Sequence, residues 1–399
     1  MKNIFKNEST SGIILLFFAV IAIVIANSGL NVAYDNILHT NISIGYKEFS
    51  LSMSVLHWIN DGLMVIFFLV VGMEIKREVV FGELKSFKKA ILPISAAIGG
   101  MIVPTIIYML FNFNKPTSGG FGIPMATDIA FALGILSLVG KKAPKGIVVF
   151  LTALATVDDL GAIIVIAIFY TSEISWIALI MAIVVIGMLL LASKSNVKHP
   201  AIYIILGVVL WICFLKSGIH STIAGVILGL LLPIGKTESE AKTSILNKFE
   251  HKLAPWSSFV IMPIFALANA GITIDISDLS STLFTPVSFG IIFGLILGKQ
   301  IGIFGVSYLL VKFKIANLPY QVSKRHLYGA SVLGGIGFTM SIFVSSLSFS
   351  DETMLSTAKI AIILASVLSA VLGAIIFKGI NYESKKVEKE QKELELLVS

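Results

Sequence analysis

Long apolar runs, each about the length of one bilayer crossing, alternate along this chain with short polar turns. A crossing helix needs about 20 mostly apolar residues, because it rises 1.5 Å per residue through a hydrocarbon core about 30 Å thick. Read this way, the pattern predicts about 12 spans, at 12–30, 55–80, 90–111, 119–139, 146–170, 174–193, 200–215, 218–234, 254–272, 286–311, 326–348 and 353–378. The stretch 200–234 is too long for one helix and short for two, and a break near Lys216–Gly218 resolves it into two. Between the first two spans the period changes. Ile42, Ile44 and Tyr46, then Phe49, Leu51 and Met53, alternate with polar residues around a turn near Gly45–Lys47. That period of two predicts a small external β-hairpin over 41–54, whose free edges invite a second copy to pair with it. The chain thus reads as a single all-α polytopic unit over 1–399, with a charged helical tail at 381–399.

Two spans carry their own interruptions. In "GGFGIPMATDIAFALG" Pro124 stands just before Ala126–Asp128, and in "ASVLGGIGFTMSIF" Gly334, Gly335 and Gly337 precede Thr339. Proline removes a helical donor and glycine lowers helix propensity, so both spans should unwind near their middles. Unwound backbone at membrane depth survives only where protein or a wet cavity surrounds it. Each interrupted span is the middle one of a three-span group, 90–170 and 286–378. The third span runs inside to outside and the tenth the reverse, so the groups can form an inverted repeat of discontinuous crossing helices, a pointer to a transporter site.

Composition strengthens this reading. The chain has 399 residues, 56% hydrophobic and 13% charged, where a soluble domain carries about 25% charged residues. Its net charge of +7 could serve a polyanion partner, but position decides otherwise. Alternating sides from a cytoplasmic N-terminus puts 25 of the 30 Lys and Arg inside, leaving Lys47, Lys115 and Lys216 outside and Lys299 and Lys359 within spans. The excess charge therefore sets topology, with both termini cytoplasmic, and marks no nucleic acid. Lys2 and Lys6 before Ile13–Ala26 have the look of a signal peptide, yet an uncleaved first helix supplies the parity that the later loops require. The single cysteine, Cys213, excludes an intrachain disulfide.

Few ionisable residues lie deep in the spans: Asp128, Asp158, Asp159 and Lys299, with Asp61 nearer an outer end. Each aspartate near a bilayer centre costs about 2.5–3.5 kcal/mol on insertion scales, so the adjacent pair in "ATVDDLGAI" demands a return. Neighbours on a helix point about 100° apart, so one can face a partner helix and the other a cavity. Lys299 is the obvious counter-charge for one of them. Carboxylate oxygens suit hard cations such as sodium, and the same oxygens can hold a proton or a cation, not both. The pair thus reads as a site where Na+ and H+ compete, active from neutral to alkaline pH.

With these residues assembled, the chain resembles the NhaA family of sodium/proton antiporters over nearly its whole length. The resemblance rests on "NDGLMVIFFLVVGMEIKRE", "AAIGGMIVPT", "IPMATDIAFALG", "VDDLGAI", "LKSGIHSTIAG", "PIFALANAG", "LGKQIG" and "GGIGFTMSIF". It implies electrogenic exchange of cytoplasmic Na+, and also Li+, for external H+ across a bacterial inner membrane, with no cofactor besides the transported ions. It implies that Asp159 is the main cation ligand, that Asp158 carries protons and pairs with Lys299, and that Thr127 is a nearby oxygen. Asp128 and Lys299 would offset the half-helix dipoles, a carboxylate facing N-termini and an ammonium facing C-termini. The family's pH-sensing cluster maps to Glu74, Arg77, Glu78, Glu250 and His251, with His220 also tied to the pH response. A homodimer through the hairpin is the expected assembly.

Other classes fit less well. A sodium-coupled solute symporter would need a polar or aromatic substrate cavity, and no such set is evident. An intramembrane aspartyl protease needs its two acids on facing helices, whereas these are adjacent on one. No phosphate-binding loop offers ATP drive, so the expected protein is not an enzyme.

Overall fold

Helices carry most of the chain, and most of their outward faces are apolar. The computed structural model describes residues 8–45, 50–140, 143–171, 174–275 and 279–398. Helices α1 (Glu8–Ala26) and α2 (Asn31–His39) precede a two-stranded ribbon, β1 (Asn41–Ile44) and β2 (Leu51–Ser54). Then come α3 (Val55–Val80), α4 (Phe87–Asn112), α5 (Pro116–Met125, of 3-10 type), α6 (Ile129–Val139), α7 (Lys145–Phe169), α8 (Trp176–Lys194) and α9 (Pro200–Ser217). After α10 (Ile223–Leu231) and α11 (Glu238–Thr243), α12 runs over 245–269 through a wide π turn at Ser257–Ile261. The last elements are α13 (Leu279–Leu283), α14 (Pro286–Lys312), α15 (Lys324–Leu333), α16 (Phe338–Ser348) and α17 (Glu352–Val398).

Among the described residues seven helices are long and apolar enough to cross a membrane, or up to ten if each of three bent pairs is one span. Their outer surfaces need an apolar solvent: Leu110 and Ile177 are each 76% exposed, and Ile168 and Leu191 are similarly bare. Such continuous greasy surface is unstable in water, so this is a multi-pass membrane protein. The count of 12 exceeds this number because α10 has only nine residues and α12 opens with Lys248, Glu250, His251 and Lys252.

Several boundaries differ from the sequence reading. The first span ends at Ala26 rather than residue 30, where the chain turns by 112° into α2. Asn27 holds that corner, donating to the Ile23 and Ile272 carbonyls and accepting from Ile274 N. The span expected at 254–272 belongs to a helix that starts at Ile245, capped by Ser244. Within 200–234 the helix stops at Ser217, with Gly218 in the left-handed region at φ +84°.

Two seams position the site. Helix α10 lies flush on α3, where a Cβ on Gly72 would come within 2.6 Å of the Val226 carbonyl and one on Gly229 within 2.6 Å of the Leu69 carbonyl. Helix α14 meets α4 at Gly99 and Gly302, backbone against backbone. Small residues at such crossings let helices approach closely where no water drives them together.

The ribbon pairs antiparallel, with Ile42 opposite Met53 and Ile44 opposite Leu51. Ile42 and Ile44 are exposed, and Trp58 Nε1 donates to the Ile42 carbonyl at 3.0 Å. The hairpin's turn, with Tyr46, Lys47 and Phe49, lies outside the described residues, as do Lys2 and Lys6.

Candidate functional site

Two interrupted helices cross at the centre of the protein. The pair α5–α6 bends by 42° and the pair α15–α16 by 43°, and Asp128 N donates to the Ile336 carbonyl at 2.7 Å where the unwound segments meet. The breaks fall at 126–128 and 334–337, next to the residues whose backbone chemistry predicts them. Ser341 Oγ braces the crossing by donating to the Ile123 carbonyl at 2.8 Å.

A crossing of this kind leaves orphan backbone groups, and buried charges answer them. Asp128 caps α6, accepting from Phe131 N at 3.0 Å, while its other oxygen accepts from Thr339 N at 3.2 Å and the Thr339 hydroxyl at 2.5 Å. One carboxylate thus serves the N-termini of α6 and α16, each carrying about half a positive charge. At the opposite ends, Lys299 Nζ donates to the Met125 carbonyl at the C-terminus of α5, at 2.5 Å.

Helix α7 brings the aspartate pair to this crossing. Asp158 Oδ2 lies 2.6 Å from Lys299 Nζ and 2.6 Å from the Thr127 hydroxyl, whose proton is shared with the Gly334 carbonyl at 3.0 Å. Lys299 is fully buried and Asp158 is 1% exposed. Asp158 Oδ1 has no hydrogen-bond partner among the described residues. Asp159, one helical step away, is 7% exposed and makes no ion pair among the described residues. It is close enough to Asp158, Glu74, Asp128 and Lys299 to interact with each electrostatically.

Lys299 is held in place by unusual backbone. Wide π turns flank it on both sides, at Gly294–Gly298 and Gln300–Gly305. Such turns concentrate at functional positions because they displace one side chain from the regular helical track.

The residues proposed for pH sensing separate into three places. Arg77 Nη1 pairs with Glu250 Oε1, and Glu250 Oε2 is buried without a partner among the described residues. Burial raises the Glu250 carboxyl above its usual range, and the Arg77 guanidinium pulls it back. His251 is exposed beside them, and Glu78 accepts from Glu83 N at 3.2 Å. Glu74 lies inward, within electrostatic range of Asp159. His220 is elsewhere. It follows Ser217, whose carbonyl binds Ser175 N, and it faces Asp61, which accepts from Ser221 Oγ at 3.0 Å. Asp61 and Arg77 stand at opposite ends of α3, about 24 Å apart along the helix.

Sequence reasoning missed three partners here: the Met125 and Gly334 carbonyls and the Thr339 side chain. Carbonyls carry no sequence signal. Thr339 did carry one, since it follows a glycine break as Thr127 follows Pro124.

The charges can now be balanced. Lys299 offsets Asp158, and two helix N-termini offset Asp128, so of these three aspartates Asp159 is the one with neither an ion pair nor a helix N-terminus against it among the described residues. Its surroundings offer a second carboxylate, a hydroxyl and carbonyl oxygens, and among the described residues no group of three or more His, Cys, Asp or Glu converges. Such hard oxygens suit an alkali cation or a proton.

Comparison with known proteins points the same way. A family model described as Na+/H+ antiporter 1 matches residues 2–377. Two proteins of Clostridium beijerinckii, named Na(+)/H(+) antiporter NhaA 1 and NhaA 2, are 73% identical over 382 residues and 70% identical over 386 residues. These alignments cover 96% and 97% of this chain and 96% of each relative. A Mannheimia succiniciproducens protein named Na(+)/H(+) antiporter NhaA is 46% identical over 384 residues, covering 95% of this chain and 98% of its own. From the crossed half-helices to the aligned length, the chain belongs to the Na+/H+ antiporter 1 family.

Proposed function

We propose that this protein exchanges sodium ions for protons, with Asp159 as the main cation ligand and Asp158 as a proton carrier that alternates between Lys299 and the ion. The observation that carries the reading is the Asp159 carboxylate, with no ion pair among the described residues, beside a neutralised Asp158–Lys299 pair. A cation arriving at Asp159 can draw Asp158 away from Lys299, with the Thr127 hydroxyl and the Gly334 carbonyl as further oxygens. When the ion leaves, protons take its place. The exchange in this reading is electrogenic, and lithium, with the same hard charge, fits the same oxygens. A solute symporter has no support in the relatives' names.

The architecture we propose has twelve crossings: the ten counted above with each bent pair as one, plus α10 and α12. In it, 90–170 and 286–378 form the inverted repeat, both termini face the cytoplasm of a bacterial inner membrane, and two copies pair through the hairpin. What supports this is the basic character of alternate turns and the matched bends of the two interrupted helices.

The test is Asp159→Asn, which keeps shape and removes charge. Sodium-driven proton movement in proteoliposomes of the purified variant should vanish, at least a hundredfold below wild type, while the yield of folded protein is unchanged. Wild type should show apparent sodium KM rising about tenfold per pH unit on the acid limb, as expected when one proton excludes one ion. Full exchange by the variant, or a constant KM with only a falling maximal rate, would defeat direct competition at this pair.

A further inference from the structure

A second polar feature lies apart from the crossing. A cavity of about 920 Å³ opens between the end of α3, the α8–α9 turn and the segment that leads from α10 into α12. Five lysines line it: Lys76, Lys194, Lys198, Lys236 and Lys248. The one carboxylate in the lining, Glu240, already accepts from Lys236 N at 2.8 Å. Lys76 Nζ donates to the Leu232 carbonyl at 2.5 Å, and none of the five makes an ion pair among the described residues. The wall therefore carries a formal +4. The start of α12 also opens into it through its cap Ser244 and Ile245, and a helix N-terminus attracts anions.

Lysines at the inner face of a membrane protein ordinarily serve only topology, spread over separate turns. Here five from three separate segments converge on one concavity, which topology does not require. We propose that this cavity binds a soluble anion carrying two or more phosphate groups. A single phosphate brings a charge of about −1.5 to −2, too little to balance the wall, whereas linked phosphates match it. The volume falls in the range of small-molecule sites. No aromatic side chain lines it, so recognition runs through the phosphates. The occupant is soluble rather than a lipid headgroup because the cavity does not descend between helices. Its lining from α8 stops at Ser193, α9 contributes nothing, and the α10 side begins at Pro233, so no groove for acyl chains continues from it. Binding there would tie the end of α3, with Arg77 next in sequence, to the start of α12, which bears Glu250.

Titration calorimetry of the full chain in detergent, with pyrophosphate as probe and sulfate at matched ionic strength as control, tests this. Saturable binding near one per chain should weaken at least tenfold in Lys236→Gln/Lys248→Gln, tighten in Glu240→Gln, and fall as salt rises. Lys194→Gln/Lys198→Gln, on the opposite wall, should weaken it likewise and serves if the first variant does not fold. Absence of saturable heat at 10 mM pyrophosphate, or unchanged affinity in both lysine variants, overturns the proposal. So does a result in which pyrophosphate fails while phosphatidylglycerol retained by the chain drops in the variants, since the cavity would then hold a lipid headgroup.

Discussion

Replacing Lys299 with alanine removes the only full positive charge within hydrogen-bond reach of Asp158 among the described residues. The ammonium makes two buried contacts, to Asp158 Oδ2 and to the Met125 carbonyl, and both partners lose it together. Asp158 Oδ1 is already without a partner among the described residues, so only the Thr127 hydroxyl would remain on that carboxylate. Breaking a buried pair from one side costs about 3–5 kcal/mol, because the surviving charge stays in low dielectric. At roughly 1–2 °C per kcal/mol for a chain of this size, Lys299→Ala should melt about 3–10 °C below wild type. Asp158→Asn in that background removes the orphaned charge and keeps an acceptor for Thr127, so about 1–3 kcal/mol should return, within the usual span of coupling between contacting residues. The assay is thermal unfolding of the purified proteins in one detergent at one heating rate, since membrane proteins commonly unfold irreversibly. Added sodium should raise the melting point of Lys299→Ala more than that of the double variant, because the ion can take the place of the ammonium. A double variant no more stable than Lys299→Ala, with no difference in sodium response, would refute the coupling.

Gly302→Ala places a methyl group against the Gly99 backbone and should cost about 1–3 kcal/mol while raising the sodium KM, whereas Gly305→Ala, which meets nothing within 4 Å, should leave melting point and transport unchanged. Glu250 sets a pH signature: a carboxyl raised by burial holds its proton to higher pH in the folded than in the unfolded chain, so its contribution is full in acid and is lost as pH rises through the raised value. Arg77→Gln raises that carboxyl further, so the variant's deficit in melting temperature should grow from pH 5 to pH 8. A deficit equal at both would mean that the pair does not control Glu250. Deleting 41–54 should yield monomers in mild detergent, by light scattering, with exchange retained; dimers that survive the deletion would place the main contact elsewhere.

Much of this architecture was legible in the amino-acid order because its causes are local. The apolar run lengths, the basic character of alternate turns and the breaks at Pro124 and Gly334–Gly337 depend on hydrophobicity, charge and helix propensity, which need no neighbour to act. The approach of Lys299 to Asp158 could also be anticipated, because few charges lie at that depth and an unpartnered one is costly. The apolar pattern places the end of the first helix four residues beyond Ala26, since the corner depends on Asn27 reaching Ile272 and Ile274, remote in sequence. Glu74 and Arg77, three residues apart on one helix, read as one cluster, yet Glu74 lies within electrostatic range of Asp159 while Arg77 pairs with Glu250.

Amino-acid order alone specifies a membrane-spanning helical chain with two helix breaks and a scarce set of buried charges, because solvent preference and backbone propensity belong to each residue. Only the tertiary structure decided which oxygens surround those charges. Met125, Gly334 and Ile336 offer carbonyls identical to those of every other residue, and they become partners solely because two unwound segments cross there. Likewise, Asp128 serves two helix N-termini at once because the fold brings Thr339 to an aspartate 211 residues away in the chain.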